Sequence, residues 1–105
     1  MEINIPNSVL EIKDSAFLEC NQLKKATLPE GIKYIGAWSF SSCHELLEIN
    51  IPNSVLEIIY EAFYDCRKLK KATLPEGIKY IGARSFVGHL SVVVNYWKLI
   101  YLIVY

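Results

Sequence analysis

A chain of 105 residues is one domain at most, long enough to enclose a modest core. With 52% hydrophobic and 21% charged residues it is too apolar for a disordered tail and too charged for a polytopic membrane protein. Eleven Lys+Arg balance eleven Asp+Glu, and zero net charge removes the counterion-release argument for nucleic acid or an anionic membrane surface as partner.

From Met1 to Pro6 no cationic region precedes an apolar stretch, so no secretory signal is visible. A strand unit runs to Pro6, and Asn7-Ser8 supplies a turn. The apolar pair Val9/Ile12 follows, then a segment ending in Phe17, then Cys20 and the leucine, Leu23, that starts the next strand. From Leu23 to Pro29, Ala26 and Leu28 alternate with Lys25 and Thr27, the period-two pattern of a strand with one buried face. Proline ends that strand, Glu30-Gly31 turns the chain, and the pair Ile32/Ile35 leads to Phe40 and Cys43. The third unit repeats the plan with Asn53-Ser54, Val55/Ile58, Phe63 and Cys66, and the fourth with Glu76-Gly77, Ile78/Ile81 and Phe86.

The step between units is 23 residues. All four prolines (Pro6, Pro29, Pro52, Pro75), all four phenylalanines and all three cysteines keep it. A period of 20 to 29 residues belongs to leucine-rich-repeat solenoids, since helical repeats need longer units. A 46-residue period lies on top: residues 2–12 are identical to 48–58, and residues 23–40 match 69–86 except for Trp38 against Arg84. One coil cannot bury its apolar edge alone, so coils must stack with like positions about 4.7–4.9 Å apart, turning identical residues into ladders.

The pattern Leu-x-x-Ala-x-Leu-Pro-x-Gly-Ile-x-x-Ile-Gly-x-x-Ser-Phe-x-x-Cys, from Leu23 to Cys43, resembles the 23-residue leucine-rich repeat of the BspA type over roughly residues 1–89. The resemblance implies a right-handed repeat solenoid with a short parallel β-sheet on the concave side and an irregular or short-helical convex side. It also implies adhesion or protein-binding surfaces, often on microbial cell exteriors, and no enzymatic activity. Lys13 and Ile59 replace the glycine that follows Ile in the pattern, and His89 replaces a fourth cysteine. The pattern therefore does not support regular turns in coils one and three, and it decays toward the C-terminus.

Function is expected on the outward sheet face. Glu2, Lys25, Glu48 and Lys71 form one column there, alternating in sign, and Asn4, Thr27, Asn50 and Thr73 form the next. The bland reading is a self-neutralising solvated face. The sharper one is a recognition patch for a protein partner made by Lys25, Thr27, Glu48, Asn50, Lys71 and Thr73, with Lys24 and Lys70 at its rim.

No cofactor or metal is expected. Cys20, Cys43, Cys66 and His89 make a tempting ligand set, but stacked one per coil the first and third lie about 10 Å apart on strand spacing, whereas zinc needs ligands within about 2.1–2.3 Å of one point. Buried free thiols are the expectation. Cys43-His44 is read as sequence neighbours whose side chains diverge, with His44 solvated, and no GxGxxG or GxxxxGK loop occurs. The phenylalanine column is core, while Trp38, Tyr34 and Tyr80 are convex-side packing or partner contacts.

Residues 90–105 leave the period and read as an apolar tail. Its β-branched and aromatic content favours a capping strand; the alternatives are the start of a membrane span, which needs about 20 apolar residues, and an aggregation-prone tail with no selected structure. Membrane contact is expected only through this tail, and the uncapped ends allow end-to-end self-association. Two functions are in play: a non-catalytic protein-binding or cell-surface adhesion scaffold, or a truncated or decayed repeat fragment with a purely structural role and no selected partner.

Overall fold

Residues one period apart stand on top of one another. The computed structural model describes residues 1–70, 72 and 74–86. Within them, seven short strands follow in chain order: β1 (Glu2–Asn4), β2 (Glu11–Ile12), β3 (Lys25–Thr27), β4 (Tyr34–Ile35), β5 (Glu48–Asn50), β6 (Glu57–Ile58) and β7 (Tyr80–Ile81). They form two parallel sheets, β1-β3-β5 and β2-β4-β6-β7. Each pairing joins residues 23 apart, as in Ile3↔Ala26, Ala26↔Ile49 and Ile35↔Ile58. The chain is thus a parallel β-solenoid of the leucine-rich-repeat kind.

The first sheet is the one expected from the alternation of Lys25, Ala26 and Thr27. Proline limits its length, because a residue without an N–H cannot extend the ladder. The turn after it closes in every described coil through the third residue beyond proline, as in Val9 N–H to Pro6 O at 3.1 Å and Val55 N–H to Pro52 O at 3.1 Å. Gly31 takes φ +108° there, a conformation that costs glycine nothing. The Ser54 hydroxyl then ties two coils together, accepting from Gly31 N–H at 2.9 Å and donating to Ile32 O at 2.7 Å.

The second sheet adds to the single one anticipated. Its strands have two residues each, one turned in (Ile12, Ile35, Ile58, Ile81, all buried) and one turned out (Glu11, Tyr34, Glu57, Tyr80). Two residues are too few to show a periodicity, so the strand is visible only once neighbouring coils supply its partners.

The third side is irregular, and no helix occurs among the described residues. Alternate amides explain this. Ala16, Leu18 and Cys20 donate three residues back, to Lys13, Ser15 and Phe17, whereas Ser15, Phe17 and Glu19 donate sideways to Ala37, Ser39 and Ser41 of the next coil at 2.7–2.9 Å. A helix needs every amide for its own axial ladder. The sideways bonds come with left-handed backbone at non-glycine residues in two columns: Ser15, Trp38, Glu61 and Arg84 at φ 54–60°, and Glu19, Ser42 and Asp65 at φ 58°.

The coils at Lys13 and Ile59 proved regular despite the missing glycine. Ile59 N–H reaches Ile35 O at 2.9 Å, matching Gly36 to Ile12 and Gly82 to Ile58 at 2.8 Å. Glycine is required at 36 and 82 because a Cβ would lie 2.6 Å from Asp14 N and 2.3 Å from Tyr60 N of the preceding coil. That close backbone approach is the constraint, and Ile59 keeps the ladder bond without glycine.

Inside the stack, Phe17, Phe40, Phe63 and Phe86 pile up with centroids 5.1–5.3 Å apart and planes within 14° of parallel. Around them pack leucine, isoleucine, valine and alanine ladders, with Phe40, Ile35, Leu46 and Ile58 wholly buried. The expected tail, residues 90–105, and His89 lie outside the described residues.

Candidate functional site

The outward columns of the first sheet assemble as anticipated. Glu2, Lys25 and Glu48 stand in register, as do Asn4, Thr27 and Asn50. Ile3, Ala26 and Ile49 turn inward between the two columns and are packed in or against the core. Alternation leaves the polar neighbours nowhere to go but solvent. The Lys25 ammonium lies 3.4 Å from the Glu48 carboxylate with both side chains substantially exposed. Lys24 and Lys70 are exposed at the edge, Leu47 being the residue between them in their column. Lys71 and Thr73, the fourth members, lie outside the described residues. A shallow hollow of about 190 Å³ adjoins Asn50, lined also by Glu30, Pro52 and Asn53.

Of the aromatic residues read as convex-side packing or partner contacts, Trp38 lies on the irregular side, whereas Tyr34 and Tyr80 belong to strands of the second sheet. Tyr34 and Tyr80 of the second sheet and Trp38, Tyr60 and Tyr64 of the irregular side are all around 40% exposed. Trp38 meets Tyr60 edge to face at 5.2 Å, and its indole N–H donates to Glu61 Oε1 at 3.1 Å. Tyr60 and Glu61 could have been found only by counting one period on from Ala37 and Trp38. An open hollow of about 440 Å³ lies between Asp14, Tyr34 and Ile59, where Gly36 contributes no side chain.

His44 is not solvated as expected but half-buried, with Nε2 3.1 Å from Asp65 Oδ2. Arg67 grips the same carboxylate through Nε at 3.1 Å and Nη2 at 3.2 Å. Hydrogen bonds from Arg67, and then from His44, hold the Asp65 carboxyl below its ordinary range. His44 therefore faces a carboxylate on the next coil and not the thiol beside it in sequence.

The thiols point the other way. Cys43 Sγ donates to Phe17 O at 3.1 Å and Cys66 Sγ to Phe40 O at 3.0 Å, each reaching the preceding coil. Burial pushes the Cys43 thiol up to about 11 and the Cys66 thiol up to about 12. A thiol so placed is a small apolar packing group with a weak donor, since the thiolate is the reactive form. Cys20, Cys43 and Cys66 are free. No group of His, Cys, Asp and Glu among the described residues is arranged to hold a metal ion.

Parallel sheets built on a 23-residue step, a phenylalanine spine and a thiol ladder define a leucine-rich-repeat solenoid. Residues 1–101 match the family model of the BspA type leucine rich repeat region in six copies, and the chain belongs to that family. No curated protein matches it. Among solved structures it is similar to the pneumococcal vaccine antigen PcpA, at 30% identity and a TM-score of 0.84, over 89% of this chain and 24% of that one. A leucine-rich repeat protein from Bacteroides ovatus is 37% identical with a TM-score of 0.80, again over 89% of this chain and 24% of the other. One from Bacteroides capillosus, 22% identical, shares the fold with a TM-score of 0.77 over 90% of this chain and 77% of its own length. The chain spans about a quarter of the length of the first two.

Proposed function

We propose that the chain is a non-catalytic protein-binding scaffold that acts in cell-surface adhesion, and that it meets its partner through the polar face of the first sheet. The contact surface comprises Lys25, Thr27, Glu48 and Asn50 with Lys24 and Lys70 at the rim, extended by Lys71 and Thr73. The observation that carries this reading is the register of that face. Three strands hold two columns of polar side chains at a spacing fixed by the backbone register, so little backbone entropy is lost on binding. Family membership supports a binding role, and one relative of 30% identity is a vaccine antigen. A scaffold without catalysis also accords with thiols held protonated and a histidine engaged by Asp65.

Beads coated with the chain, offered to immobilised extracellular-matrix proteins and to epithelial monolayers, test the reading. Adherence that disappears in the Lys25→Glu, Lys71→Glu double variant, with circular dichroism unchanged, supports it. Adherence retained in that variant places the contact elsewhere. A wild-type chain that adheres to neither surface favours the structural fragment with no selected partner.

A further inference from the structure

Both departures from the repeat's glycine flank a glycine that remains. Lys13, Gly36 and Ile59 follow one another at the 23-residue step, directly after the paired positions Ile12, Ile35 and Ile58. The backbones of Lys13 and Ile59 therefore stand about 9.5 Å apart, two steps of strand spacing, across a residue without a side chain. The hollow of about 440 Å³ opens there. It cannot be filled from position 36, because a Cβ would lie 2.6 Å from Asp14 N and 2.7 Å from Asp14 Oδ1. Three consecutive coils build it from within the stack.

Its walls differ in kind. Tyr34, turned out from the second sheet and 42% exposed, supplies the aromatic one. Asp14 supplies a carboxylate whose Oδ1 accepts Ala37 N–H at 2.9 Å, which leaves Oδ2 without a partner among the described residues. Glu11 and Lys13 pair at 2.7 Å, so most of the charge in the hollow cancels while acceptors and a donor remain available. An anion placed there meets the carboxylates of Asp14 and Glu11, and a cation meets the Lys13 ammonium. The molecule that fits is uncharged, has groups that both donate and accept, and offers an apolar face to the tyrosine ring. A pyranose has all three.

We infer that this hollow is a binding site for a neutral pyranose sugar, with Tyr34 against the C–H face of the ring and Asp14, Glu11 and Lys13 hydrogen-bonded to its hydroxyl groups. The volume falls in the range of small-ligand clefts, roughly 300–1,000 Å³. The site belongs to the second sheet and the irregular side, so it stands or falls separately from the polar face of the first sheet.

Saturation-transfer NMR of the full chain with maltose, cellobiose, lactose and diacetylchitobiose tests this. The expected result is transfer to at least one of these sugars with millimolar affinity, weakened about tenfold by Tyr34→Ala and about threefold by Lys13→Gly. Lys13→Gly restores the repeat's glycine at a side chain that is 80% exposed, so it reads the site without disturbing the core. Lys25→Glu on the first sheet leaves sugar binding unchanged. No transfer to any of the sugars overturns the proposal, as does binding that Tyr34→Ala or Lys13→Gly leaves unchanged. Tighter binding of sialyllactose than of lactose overturns the choice of a neutral ligand and the proposal with it.

Discussion

Trp38 and Arg84 occupy the same position two coils apart and share one carboxylate. The coil between them supplies Glu61, whose Oε1 accepts the Trp38 indole N–H at 3.1 Å while Oε2 lies 2.6 Å from Arg84 Nη2. The one difference between the duplicated 18-residue segments thus sits on either side of a group able to bind both residue types, as a neutral donor and as a cation.

That bridge is measurable. Glu61 is only 17% exposed, so its pair with Arg84 is less hydrated than an ordinary surface pair. Glu61→Gln keeps an acceptor for the indole and removes the charge, and urea unfolding is expected to show a loss of about 1 kcal/mol. The loss shrinks in 1 M salt, where screening acts over about 3 Å. A variant as stable as wild type at low salt would show the ion pair to be energetically silent.

The left-handed columns predict stabilisation by glycine. An L-residue at φ near +60° costs roughly 1–2 kcal/mol, part of which glycine gives back through its larger unfolded-state entropy. Glu19 has φ 58°, is exposed, and makes no side-chain hydrogen bond or ion pair among the described residues. Glu19→Gly should therefore raise stability by about 0.5–1 kcal/mol, while Ala16→Gly, at a position without positive φ, should lower it. Equal effects of the two would remove the strain argument.

Position in the stack sets the weight of each phenylalanine. Phe40 is wholly buried and stacked on both faces, so Phe40→Ala should cost about 3–5 kcal/mol and leave the chain largely unfolded by circular dichroism. Phe17 is partly buried and stacked on one face, and its replacement should cost clearly less. A reversed order in denaturant midpoints would contradict the ladder.

The thiols impose an alkaline limit. Cys43 and Cys66 titrate at about 11 and about 12 in the fold against an ordinary 9.0, so the folded chain holds protons that the unfolded one releases. Their contribution is present in full below pH 9.0 and is lost as pH climbs through the folded values, because the unfolded state then binds fewer protons. Stability should fall above that pH, and less steeply in the Cys43→Ala, Cys66→Ala variant. At pH 8 an alkylating reagent should label Cys20, the partly exposed thiol, and reach the other two only after unfolding. Fast labelling of Cys66 in the native chain would count against its burial.

The solenoid, its phenylalanine spine and the polar columns of the first sheet were legible in the residue order because each depends on a repeat of one residue type. When Phe17, Phe40, Phe63 and Phe86 recur at a constant step, stacking is the arrangement that buries all of them together, and alternation about Ala26 then sends Lys25 and Thr27 outward. The second sheet, the left-handed columns and the contacts of His44 and Glu61 were not legible. Tyr34-Ile35 is too short to carry a period, and the left-handed positions hold serine, tryptophan, glutamate, aspartate and arginine where glycine or asparagine would have signalled them. His44 meets Asp65 and Trp38 meets Glu61 across 21 and 23 residues of chain, between side chains of unlike kind that no repeat marks. Periodic identity specifies which residues share a column, but contacts between unlike neighbours depend on where the stacked backbone aims each side chain, and that is settled only when the coils pack.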